Sequence, residues 1–158
     1  MESAHMHLLL NHFPILGSLF GLLLLGYGLL KKSDSVIESA LFTFIVIAVI
    51  SVPAFLSGEV AEEVVEHMNK QNDILIHEHE DAAAYGLWLM LLLGLSSLVA
   101  LIRTIKKREN VRKFQYGIML FSLIAFLTMS YVGITGGKIR HTEIRASGGL
   151  NQLNQIPK

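Results

Sequence analysis

Four long apolar segments, separated by short charged ones, constrain what this chain can fold into. They lie at about residues 8–30, 40–58, 82–105 and 114–137. A membrane-spanning helix needs about 20 mostly apolar residues, and in lipid every backbone polar group must pair within its own segment. The sequence therefore predicts an all-α protein: an integral membrane four-helix bundle in residues 1–145, followed by a polar C-terminal tail at 146–158.

The composition agrees with a protein embedded in a lipid bilayer rather than with a water-soluble domain. Hydrophobic residues make up 52% of the chain and charged residues 16%, against about 25% charged residues in soluble domains. The chain has no cysteine, which excludes disulfides, thiolate-ligated metals and covalently attached c-type haem. Within the first segment, Gly17 and Gly21 form a GxxxG pair, a spacing that permits close contact between helices.

The distribution of charge predicts the orientation of the four spans. Eight of the thirteen basic residues lie directly after the first span, at Lys31 and Lys32, or in the loop at 103–113. Because basic loops stay on the cytoplasmic side and the segment at 59–81 is acidic, both chain ends are expected outside a bacterial inner membrane. The first span is not expected to be a cleaved signal peptide, since its positive flank follows it. Topology explains the basic loop, so no nucleic-acid partner is expected.

Histidine is frequent in this chain, and the predicted topology places every histidine on the outer side. They lie at the beginnings of the first and third spans and at the ends of the second and fourth: His5, His7, His12, His67, His77, His79 and His141. A bundle brings such ends together, because packed helices lie about 8–10 Å apart. Neutral imidazoles can ligate haem iron, zinc, copper or non-haem iron. The plainer interpretation is that interfacial histidines reach water or lipid headgroups.

Acidic residues allow a second kind of site at the same end. Glu62, Glu63 and Glu66 recur at helical spacing after the second span, and Glu80 directly follows His79. Carboxylates and histidines on facing helices build di-iron sites in bundles, although the Glu-x-x-His order typical of those sites does not occur here. The competing interpretation is a solvated acidic face.

Several short motifs, taken in order, resemble those of a known family. They are HLLLNHFPI at 7–15, Ser57-Gly58 at the end of the second span, His79 at the entry to the third, and GGKIRH at 136–141. The pattern is similar to that of a bacterial family of small four-helix predicted inner-membrane proteins of unknown function. Some relatives are joined to a Rieske-type iron–sulfur domain.

The resemblance implies redox work with a haem or another metal. The positions that match the family's motifs are His7, His12, His79 and His141. The chain departs from the family where Thr142 and Glu143 follow the last histidine, since the family tends to have glycine there. The acidic stretch after Gly58 is a second departure, and both leave room for a non-haem metal.

The residues and the resemblance together predict a membrane-embedded redox protein that binds b-type haem at the outer face. His12 and His79 would form one ligand pair, and His141 with His7 or His67 a second. The alternative is a non-haem iron, zinc or copper site, whose ligands would come from His12, His79, His141, Glu80, Glu62, Glu63 and Glu66. A third alternative is a structural or assembly subunit of a larger membrane complex. An electron-transfer or metal-binding protein, working with a redox partner on the outer side, is favoured over a stand-alone enzyme.

Overall fold

The computed structural model describes residues 10–66 and 73–140, and within them the chain forms four α-helices. Their bounds are His12–Lys31 (α1), Asp34–Glu66 (α2), Asp73–Ile105 (α3) and Val111–Arg140 (α4). All four helices are long and apolar enough to cross a bilayer. The prediction of an all-α, four-helix membrane bundle is therefore confirmed for this part of the chain, while the predicted C-terminal tail lies outside it.

Two helices begin well before the apolar segments that predicted them. Helix α2 begins at Asp34 instead of at about residue 40, and α3 begins at Asp73 instead of at about residue 82. Helix α2 also continues beyond Gly58, the predicted end of the second span, and ends at Glu66. An apolar run marks where the hydrocarbon begins, whereas a helix continues for as long as its backbone hydrogen bonds are satisfied.

Short turns join α1 to α2 and α3 to α4. After α1, Lys32 adopts a left-handed conformation with φ of 54°, and the Ser33 amide donates to the Gly28 carbonyl at 3.0 Å. After α3, Lys107 and Asn110 are left-handed, with φ of 49° and 59°. Left-handed residues at a helix end let the following amides satisfy its last carbonyls, so the chain reverses within a few residues.

The helices form a closed ring in which α1 contacts α2 and α4, and α3 contacts the same two helices. Since successive helices alternate in direction, α1 and α3 begin at the end of the bundle at which α2 and α4 finish. We call this end, which carries His12 and His79, the histidine end. The opposite end, which carries Lys31 and Arg112, is called the basic end.

Large apolar side chains cover the outside of the bundle. Phe20 and Leu23 on α1, Leu95 on α3 and Leu120 on α4 each expose more than half of their surface. In water, apolar surface of this kind would cost about 25 cal/mol for each Å². The outer surface therefore matches a lipid environment, as the four apolar segments predict.

Glycine lets α1 and α2 approach each other closely. Gly17 lies against Ile47 of α2, and Gly21 lies against Phe44. A Cβ built on Gly21 would be 2.5 Å from a ring carbon of Phe44, which leaves no room for a methyl group. The GxxxG pair thus makes the close helix contact that its spacing permits.

A polar network ties three helices together at the basic end. Gln115 of α4 is fully buried, and its Nε2 donates to Thr104 Oγ1 of α3 at 2.8 Å. Thr104 donates in turn to the Ala100 carbonyl of its own helix. Arg112 donates to the Gln115 amide oxygen at 3.3 Å and to Asp34 of α2 at 3.2 Å. Both polar ends of the buried amide are satisfied, which is the condition under which a buried polar network specifies a packed interior.

We expect Gly21→Ala to destabilise the bundle, because the added methyl group must displace the fully buried ring of Phe44. Overpacking of this kind costs about 1–3 kcal/mol. Gly117→Ala is the matched control, since nothing lies within 4 Å of a Cβ built there. Thermal unfolding of the detergent-solubilised proteins measures the difference, and equal midpoints for the two variants would contradict this packing.

Candidate functional site

His79 lies on the face of α3 that packs against α4, close to the histidine end. It is three residues after the buried Ile76 and seven residues before the buried Gly86, which contacts Met129 of α4. Residues three, four and seven apart share one face of a helix. The imidazole is therefore half-buried between α3 and α4.

The hydrogen bond between His79 and Thr135 favours a proton on Nδ1 of the imidazole. His79 Nδ1 is 3.0 Å from Thr135 Oγ1, and Thr135 Oγ1 is 2.9 Å from the Val132 carbonyl oxygen. The threonine hydroxyl has one hydrogen, which it donates to that carbonyl, so its oxygen accepts from His79. This arrangement favours the tautomer of a neutral ring in which Nδ1 carries the proton and Nε2 the lone pair.

Gly136 makes room for the imidazole ring against α4. A Cβ built on Gly136 would lie 3.0 Å from His79 Cε1 and 3.4 Å from both ring nitrogens. Among the described residues, nothing lies within 4 Å of a Cβ built on Gly137. Of the two glycines in the GGKIRH motif, Gly136 is thus the one that the position of His79 requires.

A second set of contacts joins α3 to α4 beside His79. Tyr131 Oη donates to Glu78 Oε1 at 2.8 Å, and Lys138 Nζ lies 3.8 Å from the same oxygen. An open groove next to this contact is lined by Glu78, Asp81, Ala82, Tyr85, Thr128 and Tyr131. The start of α3 is therefore held to the end of α4 through both an imidazole and a carboxylate.

Glu80, a predicted metal ligand, pairs with His77 on its own helix. His77 Nδ1 lies 2.9 Å from Glu80 Oε2, and the two side chains are 63% and 42% exposed. A pair three residues apart on a helix surface contributes at most about 1 kcal/mol to stability. The two residues present an imidazole and a carboxylate together at the surface of the bundle.

His12, the predicted partner of His79 in binding haem, is the first residue of α1 and is exposed. The preceding residue, Asn11, carries a buried polar atom. This atom, Oδ1, has no hydrogen-bond partner among the described residues. Buried polar atoms in native proteins almost always have a partner, which is often an ordered water. Asn11 therefore belongs to the histidine end as well, although the sequence pattern draws attention only to His12.

The described residues bring together only part of the predicted site. Within them, no group of three or more histidine, cysteine, aspartate and glutamate side chains is placed to hold a metal ion. Three predicted histidines and the side chains of three predicted glutamates lie outside the described part of the chain: His7, His67, His141, Glu62, Glu63 and Glu66. The predicted ligand sets therefore stay predictions.

Thr135 and Tyr131 are site residues that the sequence analysis did not single out. Thr135 is 1% exposed and accepts from His79, while Tyr131 donates to Glu78 from the same helix. Both are polar residues near the end of an apolar span, and Thr135 directly precedes the Gly136–Gly137 pair. The sequence signal for Thr135 is a hydroxyl next to a glycine pair. Because glycine has no side chain, it leaves space through which a side chain of a neighbouring helix can reach the hydroxyl.

A family model described as "Predicted membrane protein (DUF2231)" matches residues 4–143, a range that includes all four helices. Comparison with curated proteins and with solved structures gave no match. The family description agrees with the four membrane-spanning helices and names no cofactor.

We expect Thr135→Val to release His79 from its fixed tautomer, because valine keeps the shape of threonine but offers no oxygen to Nδ1–H. Nitrogen NMR of histidine-labelled protein distinguishes the two tautomers, with the His79 signal assigned by its loss in His79→Gln. Thr128→Val is the control, since the one hydrogen bond that Thr128 donates within the described part of the chain is to Ile124 of its own helix. An unchanged His79 signal in Thr135→Val would refute the hydrogen bond.

Proposed function

The chain belongs to the family of predicted membrane proteins designated DUF2231, and we propose that it is a redox protein of the bacterial inner membrane. Its cofactor is b-type haem, bound by histidines at the histidine end. The protein passes electrons to or from a partner at that end. The observation that carries this proposal is the fixed orientation of His79 between α3 and α4.

His79 has the properties of a pre-oriented imidazole ligand. Metal-binding histidines almost always donate from the other ring nitrogen to a protein acceptor, which fixes the ring and raises the basicity of the ligating nitrogen. Thr135 offers such an acceptor to Nδ1–H, an arrangement that favours Nε2 as the ligating nitrogen of His79. Because Thr135 is itself bonded to Val132, the acceptor cannot rotate away without losing a second hydrogen bond.

The surroundings of His79 suit a haem group. Ala82 and Ala83 of α3 pack against the apolar core, and Met129 and Val132 of α4 belong to that core. When bound, haem supplies one-electron transfer at a potential set by its axial ligands, its burial and nearby hydrogen bonds. His79 would hold the haem iron, and His12 is the proposed second ligand.

We place the histidine end on the outer side of the membrane and, with it, both ends of the chain. The basic end carries Lys31 and Arg112 together with most of the loop at 103–113. Basic residues near span ends stay on the cytoplasmic side. The redox partner would accordingly meet the protein on the outer surface.

A non-haem metal site is the second candidate, and the paired His77 and Glu80 favour it. The two side chains lie 2.9 Å apart, one on each side of His79 in sequence, so one turn of α3 offers both imidazole and carboxylate donors. Such mixed donors suit iron, zinc or copper. His12, His141 and the glutamates at the end of α2 would complete this site.

Substitution of His79 separates these proposals. The wild-type protein, purified in detergent, should show a Soret band with sharpened bands after dithionite reduction, and His79→Ala should lose at least half of the bound haem. His77→Ala is the matched control, because it removes an imidazole two residues away that is 63% exposed.

Elemental analysis of the same samples distinguishes the second candidate. Stoichiometric iron, zinc or copper without a Soret band would replace the haem proposal by the non-haem site. Full haem occupancy and an unchanged spectrum in His79→Ala would refute His79 as a ligand. A wild-type protein with neither haem nor transition metal after reconstitution would refute both.

A further inference from the structure

The open groove between α3 and α4 is lined by one face of each helix. Its residues on α3 are three, four and seven positions apart, a spacing that places them on one helical face. With the two residues of α4 the lining is Glu78, Asp81, Ala82, Tyr85, Thr128 and Tyr131. The groove has a volume of about 410 Å³, within the range of about 300–1,000 Å³ that is typical of small-molecule sites. It is therefore large enough to hold a ligand of several heavy atoms.

The groove lies at the level at which α3 leaves the hydrocarbon. Asp81 and Arg103 are charged, and residues 82–102 between them carry no charge. At a rise of 1.5 Å per residue this uncharged stretch spans about 30 Å, which is the thickness of the hydrocarbon core of a bilayer. Asp81 is therefore at the level of the lipid headgroups. Tyr131 is at a similar level on α4, because its hydroxyl reaches Glu78.

Aromatic side chains with polar tips lie at the same level. Tyr85 and Trp88 expose about two thirds of their surface, and Tyr131 exposes about half. Tyrosine and tryptophan are enriched where a membrane meets water, because one end of the side chain is apolar and the other is polar. The groove therefore opens towards the headgroup layer, which makes a phospholipid headgroup its nearest available ligand.

Both carboxylates of the groove have acceptor oxygens that no described residue uses. Tyr131 Oη and Lys138 Nζ approach Oε1 of Glu78, whereas Oε2 has no hydrogen-bond partner within the described ranges. The carboxylate of Asp81 has neither a hydrogen bond nor an ion pair with any described side chain. Since Lys138 can balance only one of the two carboxylates, the groove carries an excess of negative charge. A complementary ligand is a cation with N–H donors.

We propose that the groove binds the headgroup of phosphatidylethanolamine through its primary ammonium. A primary ammonium has three N–H donors, which Asp81 and Oε2 of Glu78 can accept. The rings of Tyr85 and Tyr131 line the same groove and offer cation–π contacts. The trimethylammonium of phosphatidylcholine has no N–H to donate, and an anionic headgroup would be repelled by the two carboxylates.

The lipid site consists of side chains of α3 and α4 alone. It needs no haem or other metal, and it uses neither His79 nor Thr135. It therefore goes beyond the proposed redox function, and the two proposals can fail separately.

Native mass spectrometry of the delipidated full-length protein tests the site. Phosphatidylethanolamine and phosphatidylcholine with identical acyl chains are titrated in turn, so that the two ligands differ only in the methyl groups on nitrogen. We expect the wild type to bind phosphatidylethanolamine several-fold more tightly and Asp81→Asn to lose this preference, because asparagine keeps the shape of the side chain but not its charge. Glu38→Gln is the matched control, since it neutralises a carboxylate near the start of α2, at the basic end, and should keep the preference.

Equal affinities of the wild type for the two lipids, or tighter binding of phosphatidylcholine, would overturn the proposal. An unchanged preference in Asp81→Asn would overturn it as well. A dimer that excludes phospholipid in the same spectra would assign the groove to a second copy of the chain instead. Elution as a single species and an unchanged unfolding midpoint establish that Asp81→Asn is folded.

Discussion

The need to pair every backbone polar group inside the hydrocarbon core determines most of this structure. It makes each apolar segment a helix, so that only the side chains determine how the helices pack against one another. Since lipid is as apolar as leucine, burial of leucine does not drive the helices together, and close packing must do so. Gly17 and Gly21 provide that packing between α1 and α2, and Gly136 provides it between α3 and α4.

Hydrogen-bond partners are scarce inside a bilayer, and this scarcity determines which partner each interior polar group bonds to. A buried amide or imidazole in lipid has few alternatives to the partner that the neighbouring helix offers. Gln115 therefore bonds to Thr104 at one end of the bundle, and His79 bonds to Thr135 at the other. The second bond does more than hold two helices together, because it favours the tautomer of His79 with its lone pair on Nε2. Asn11 Oδ1 and Ser97 Oγ are buried and have no hydrogen-bond partner among the described residues.

The fold could be predicted from the sequence, because hydrocarbon thickness sets the length of an apolar run. The helix bounds could not, since Asp34 and Asp73 continue helices beyond the hydrocarbon and leave no mark in hydropathy. For the site, helix direction alone placed His12 and His79 at one end. It could not show that His12 is exposed while His79 meets α4, because that depends on the rotation of each helix about its own axis. Thr135 went unnoticed for the same reason.

We propose that His79 presents Nε2 to a redox cofactor while Thr135 accepts a hydrogen bond from Nδ1–H. An experimental density map of the protein, purified from its native membrane without chelators, tests this claim most directly. We expect density for a metal or a porphyrin iron at about 2 Å from His79 Nε2, the usual length of a bond between imidazole nitrogen and a metal. Density for only a water or a protein donor at Nε2, in a fully occupied and well-resolved histidine end, would contradict it.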